Sequence, residues 1–127
     1  MTPESGVLLT AAEAKLKAAK ILQGSGLYGD AASRAYYGVF HAISALHLAS
    51  GNSFSSHAQL IGRFNKDFVH TGIFAPAFTR ILTRLFEDRQ LGDYDATAEI
   101  TPEQANQDIT DAHQIIQAIR THLTPKT

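Results

Sequence analysis

The sequence predicts an all-α protein, an up-and-down bundle of four to five helices. Apolar residues recur every three or four positions along almost the whole chain, which is the period of an amphipathic helix. Val, Ile and Thr do not form the alternating runs that strands require. Short segments rich in Gly, Ser and Pro separate the periodic stretches, and short connections are typical of antiparallel neighbouring helices.

Residues typical of helix ends set the bounds of the predicted helices. We expect helices over about residues 4–23, 28–50, 57–71, 76–91 and 102–123, the first beginning at Glu4 or Thr10. The clearest start is Thr101 to Gln104, with a Thr cap, a Pro in the first turn and a Gln at the capping-box position. The last helix should end before Pro125, and the longest loop is predicted from Gly92 to Ile100.

The second helix carries a stripe of small residues and is predicted to lie at the centre of the bundle. Small side chains let a neighbouring helix approach closely, and larger apolar residues on both sides of the stripe would complete a buried face. The stripe consists of Ala31, Ala35, Gly38, Ala42, Ala45 and Ala49.

Length and composition are those of one ordinary domain, so we treat residues 1–127 as a single unit. Apolar residues make up 44% of the chain, and its formal net charge of -1 gives no general attraction to nucleic acid. Any RNA contact therefore needs a local basic patch. The absence of cysteine and the scattered histidines predict no metal site, and no cofactor is expected. Without a long apolar run or a signal peptide, the protein is expected to be cytoplasmic, with no membrane segment.

A polar row on the second helix is the first candidate site. Arg34 and His41 lie seven residues apart, or two helical turns and about 10 Å, with Tyr37 between them and Ser44 beyond. Such a row either makes hydrogen bonds to neighbouring helices or a partner subunit, or it acts on a phosphodiester. Both interpretations stay open at this point.

The second candidate site surrounds Arg89, which falls on the inward-facing stripe of the fourth helix. A buried arginine has to meet a carboxylate, a helix end or a ligand anion. Asp93 is the nearest carboxylate in sequence and would brace the following loop. The alternative is an arginine that remains available for a phosphate. His57, in the first turn of the third helix, is a weaker candidate.

Sequence motifs for other common chemistries are missing. The chain has no Walker-type phosphate loop, no G-x-S-x-G and no H-E-x-x-H. The recognisable enzyme chemistry that remains is an arginine and a histidine acting on a phosphodiester.

Three stretches together resemble the HEPN family, specifically its small stand-alone prokaryotic branch, over about residues 8–123. The resemblance implies a four-to-five-helix bundle that usually forms a homodimer. The stretches are Ser33-Arg34-Ala35-Tyr36-Tyr37 with Phe40-His41, then Ser55-Ser56-His57, and then Arg89-Gln90 followed by Gly92-Asp93-Tyr94.

Membership of this family would imply a nucleotide- or RNA-associated function. Many HEPN proteins are encoded beside a minimal nucleotidyltransferase and form toxin–antitoxin pairs. The active toxins are metal-independent ribonucleases with an arginine followed, four to six residues later, by a histidine. The histidine would act as general acid or base, and the arginine would stabilise the transition state. In some pairs the partner adenylylates a tyrosine beside that motif, a position that Tyr94 holds here.

This chain departs from the motif, because Asp93 and Tyr94 follow Arg89 where a histidine is usual. Arg34 and His41 have the spacing but lie on the second helix. The sequence therefore favours a partner of a nucleotidyltransferase in a toxin–antitoxin or stress module. Its alternatives are a metal-independent ribonuclease and a non-catalytic dimerisation or scaffold module. The residues expected to converge on one ligand are Arg34, Tyr37, His41, Arg89 and Tyr94, with Arg34, His41, Arg89 and Asp93 as candidate catalytic groups.

Overall fold

The computed structural model describes residues 1–97 and 99–124, and these form five α-helices without a strand, which confirms the predicted all-α bundle. The helices are α1 Pro3–Gly24, α2 Tyr28–Ala49, α3 His57–Phe64, α4 Ala77–Tyr94 and α5 Pro102–Leu123. Within the described ranges, no helix is both long enough and apolar enough to cross a membrane. Helix α5 ends at Leu123, before Pro125, as the sequence predicts.

Side-chain caps begin the helices where the sequence predicts them. At α5 the Thr101 hydroxyl accepts a hydrogen bond from the Gln104 amide (3.0 Å), and the Gln104 side chain accepts one from the Thr101 amide (2.8 Å). At α3 the Ser56 hydroxyl accepts from the Gln59 amide (3.1 Å). These caps satisfy amide groups that have no partner within the helix.

Helix α2 is the centre of the bundle and contacts each of the other four helices. Its small-residue stripe is buried from Ala31 to Ala45. A Cβ added at Gly38 would lie 3.2 Å from the Ala12 carbonyl oxygen and 3.3 Å from the Ile116 side chain. Helices α1 and α5 therefore pack closely against α2, as the stripe predicts.

The third predicted helix changes its form part-way. Regular α-helix ends at Phe64, and a π-helical turn, Asn65–Val69, replaces the continuous helix expected to reach residue 71. The rings of Phe64, Phe68 and Phe74 pack next to one another, with centroids 5.8 to 6.1 Å apart. The wider turn thus coincides with an aromatic cluster that local periodicity does not reveal.

Helix α4 continues through Gly92 to Tyr94, so the prediction that the loop begins at Gly92 is wrong. The glycine has a packing role instead. A Cβ added at Gly92 would lie 2.6 Å from the carbonyl oxygen of Gly29. Only glycine permits this approach, which holds the last turn of α4 against the start of α2.

A buried ionic network joins α4 to α5. Arg84 donates to Asp108 (Nε to Oδ1, 3.1 Å) and to Asp111 (Nη2 to Oδ2, 2.5 Å). Asp108 is completely buried. Burial raises the pKa of Asp108 to about 8, the Asp88 carboxyl acts in the same direction, and Arg84 opposes both. Asp108 therefore binds its proton more strongly in the folded protein than in the unfolded chain.

Replacing Asp108 with asparagine is expected to flatten the pH dependence of stability. The pKa of the folded carboxyl is raised to about 8, whereas the unfolded one has a pKa of about 4. The free energy of unfolding of the wild type should therefore fall as the pH rises between these values. An asparagine amide still accepts from Arg84 and cannot ionise. Thermal melting followed by circular dichroism from about pH 4 to about pH 9 measures the difference.

The control is Asp67→Asn, which removes a solvent-accessible ion pair with Arg63 and should keep the wild-type slope. Identical pH profiles for wild type and Asp108→Asn would mean that Asp108 is ionised in the folded state.

Candidate functional site

The guanidinium of Arg89 lies inside a cage of four aromatic rings. Arg89 is only 6% exposed. Its Cζ lies 5.0 Å from the ring centroid of Tyr36, 5.1 Å from that of Phe86, and 5.6 Å from those of Tyr37 and Tyr94. All four distances are in the range of cation–π contacts. We call these four rings the aromatic cage.

The charge of Arg89 is only loosely balanced. Its Nη1 donates a hydrogen bond to the Tyr94 hydroxyl (3.2 Å), while the nearest Asp93 carboxylate oxygen lies 3.9 Å from the same nitrogen. Its Nε is buried and has no hydrogen-bond partner within residues 1–97 and 99–124. A buried guanidinium normally makes close, often bidentate bonds to a carboxylate. The ion pair with Asp93 considered from the sequence is therefore present, but it leaves the Nε hydrogen of Arg89 without an acceptor in the described residues.

His57 joins the cage from a third helix. Its Nδ1 lies 2.7 Å from the Tyr36 hydroxyl, and the two rings are nearly parallel, 5.8 Å apart. Burial raises the pKa of Tyr36 to about 12, so the phenol keeps its proton, and its hydroxyl is hydrogen-bonded to Nδ1. In the neutral imidazole one ring nitrogen carries the hydrogen and the other accepts, so Nδ1 and Nε2 have opposite roles.

The charge state of His57 follows from the same neighbours. Burial lowers the pKa of His57, and the positive charge of Arg89 lowers it further. The imidazole is therefore neutral at neutral pH. Arg89 remains the cationic group against which Tyr36 and His57 are held.

The structure divides the sequence-predicted residues into two groups. Tyr37, Asp93 and Tyr94 accompany Arg89, as described above. Arg34 is exposed and lines a groove with Lys15 and apolar residues of α1. His41 is half-buried, and burial followed by the charge of Lys15 lowers its pKa. No contact of Arg34 or His41 with Arg89 is present in the described part of the chain.

Helix geometry explains why the row divides. Tyr37 lies three residues after Arg34 and is rotated about 60° around the axis relative to it, which turns Tyr37 towards α4. Arg34 and His41 point towards α1 instead. Tyr36 and Phe86 complete the aromatic cage, and His57 contacts it through Tyr36. The sequence pattern alone did not single out Tyr36 and Phe86, and it made His57 only a weaker candidate. The Tyr36-Tyr37 pair was the available signal, because adjacent aromatic residues on a central helix reach different neighbours.

Removing the Arg89 charge is expected to raise the pKa of His57. In Arg89→Met the nearby positive charge is lost, so protonation of the imidazole becomes easier. His41 serves as an internal control, since its charged neighbour is Lys15. Lys15→Gln should raise the pKa of His41 and leave His57 unchanged. NMR titration of the imidazole Hε1 signals measures both values. An unchanged His57 in Arg89→Met would place the guanidinium away from the imidazole.

Comparisons with known proteins agree with this architecture. The UPF0332 protein of Thermotoga maritima is 37% identical over 101 residues, which cover 80% of this chain and 76% of that protein. The Methanocaldococcus jannaschii protein named "Putative toxin MJ0605" is 37% identical over 117 residues, or 92% and 87% of the two chains. The crystal structure of TT1696 from Thermus thermophilus has a TM-score of 0.82 at 19% identity, covering 96% of this chain and 100% of that one. Its likeness concerns the fold alone.

The relatives and a family model point to the same assignment. The model of the HEPN domain matches residues 6–122, a range that includes all five helices except for the outermost residues of α1 and α5. The chain belongs to the HEPN family.

Proposed function

We propose that this protein binds the phosphate of a nucleotide or of RNA at Arg89, as the toxin-like component of a module with a minimal nucleotidyltransferase. The observation that carries the proposal is the buried, loosely balanced guanidinium: its nearest carboxylate oxygen is 3.9 Å away and Nε has no partner in the described ranges. A phosphate provides several strong acceptor oxygens for such a group. The relatives named as putative toxins support the toxin-like role.

Tyr94 controls access to this guanidinium. Tyr94 is 71% exposed, yet its hydroxyl holds the Nη1 hydrogen of Arg89. A phosphate oxygen takes the place of that hydroxyl when the exposed phenol turns outward. The same exposure makes Tyr94 reachable by a nucleotidyltransferase, and adenylylation there would place a covalently bound phosphate beside Arg89.

A longer RNA would need further contacts. The groove between α1 and α2 brings Arg34 and Lys15 together, next to His41. It forms a local basic patch in a chain of nearly neutral net charge and would hold backbone phosphates. Exposed apolar side chains on α1 and in the turn that follows, Val7, Ile21 and Leu27, suit a homodimer contact.

Arg89→Met is expected to weaken the binding of AMP and of a short single-stranded RNA by at least about tenfold, because one charge-assisted phosphate contact is lost. The matched control is Arg80→Met, an exposed arginine on the same helix, which should bind almost as the wild type does. Calorimetry for AMP and fluorescence anisotropy for the RNA measure the affinities. Equal affinities for wild type and Arg89→Met would exclude this site.

A second candidate function is metal-independent RNA cleavage, favoured by the position of His57 against the ring that also contacts Arg89. Cleavage in the presence of EDTA is expected to fall by about 100-fold or more in His57→Ala and in Arg89→Met. If Arg34→Ala or His41→Ala abolishes cleavage instead, the catalytic pair is the one predicted by spacing on α2. A wild-type protein that leaves RNA intact would restrict the function to binding.

A further inference from the structure

A groove between α3 and α4 opens next to the aromatic cage. It has a volume of about 570 Å³, within the range of small-molecule sites. Its walls are largely apolar and come from His57, Ala58, Ile61 and Gly62 on one side and from Leu82 and Phe86 on the other. Among the residues that the structure describes, neither lysine nor arginine lines it, so the groove itself does not suit a phosphate.

Two residues belong to both the groove and the cage region. Phe86 lines the groove, and its ring centroid lies 5.1 Å from Cζ of Arg89. His57 lines the groove and is hydrogen-bonded to Tyr36. The apolar groove, with its flat rings, thus adjoins the Arg89 guanidinium, whose Nε lacks a hydrogen-bond acceptor within the described residues. A molecule that is flat and apolar at one end and anionic at the other would satisfy both.

Polar groups in the groove have fixed orientations. Nδ1 of His57 is hydrogen-bonded to the Tyr36 hydroxyl, which fixes the orientation of the imidazole ring. Asn65, beyond the end of α3, accepts a hydrogen bond from the Thr79 hydroxyl at Oδ1 (2.9 Å). Its NH₂ group is therefore oriented as a donor. An amide donor and an imidazole on otherwise apolar walls suit the hydrogen-bonding edge of a nucleobase.

We propose that the α3–α4 groove holds the base of the nucleotide or RNA whose phosphate is bound at Arg89. The inference rests on the proposed function and assigns the base to a surface other than the cage. The base would pack against Phe86 and His57, because flat rings stack on bases of any sequence. An apolar segment of a protein partner is the competing occupant.

The test fills the groove without disturbing the helix. A Cβ added at Gly62 meets no atom within 4 Å, so Gly62→Leu places a side chain in the groove and favours helix formation. Wild type is expected to bind AMP about tenfold more tightly than ribose 5-phosphate, since stacking on aromatic side chains supplies an effect of this size. In Gly62→Leu this preference should disappear, while the affinity for ribose 5-phosphate remains.

The matched control is Gly24→Leu, at the end of α1, where an added Cβ also meets nothing within 4 Å; it should keep the preference. If Gly62→Leu also keeps the preference for AMP over ribose 5-phosphate, or if the wild type shows no such preference, the proposed base site is overturned. The phosphate site is then still supported if Arg89→Met weakens the binding of both AMP and ribose 5-phosphate. If the wild type shows no preference for AMP and a copurifying protein segment occupies the groove instead, the occupant is a protein partner. If the wild type binds neither ligand, both proposals fail.

Discussion

A positive charge buried without a close counter-charge is the constraint on which the rest of this site depends. Removing a guanidinium from water is unfavourable unless other groups replace its hydration. Here the faces of four aromatic rings surround Arg89, and one tyrosine hydroxyl accepts from it. Cation–π contacts offset part of the cost. The remaining deficit is the physical reason to expect an anionic ligand.

The cage exists because of how the helices pack around α2. Small residues such as Gly38 allow α1 and α5 to approach closely, and Tyr36 is 1% exposed in the centre of the bundle. At the other end, the backbone contact between Gly29 and Gly92 holds the last turn of α4 in place. That turn carries Asp93 and leads to Tyr94. Substitutions in the core would therefore move the residues around Arg89 without contacting them.

Protonation states concentrate the charge of the cage on one residue. Burial raises the pKa of Tyr36 and lowers that of His57, so both are neutral at neutral pH. The hydrogen bond between them therefore joins two uncharged groups. Arg89 remains the cation at the centre, and the carboxylate of Asp93 lies at a distance where it can give way to a stronger acceptor. Neutral donors and a single cation are well suited to a phosphate linked to a base.

Local sequence determined the helices, their caps, the central position of α2 and the inward direction of Arg89, because periodicity and end residues act within a few positions of the chain. The motifs also predicted the HEPN family. Only the tertiary structure decided that His57 contacts Tyr36. It also decided that Tyr37 contacts Arg89 and not the groove that Arg34 lines next to His41. These contacts link residues on different helices, beyond the reach of local periodicity. They depend on how each helix is rotated against its neighbours, which is set by packing across the whole bundle.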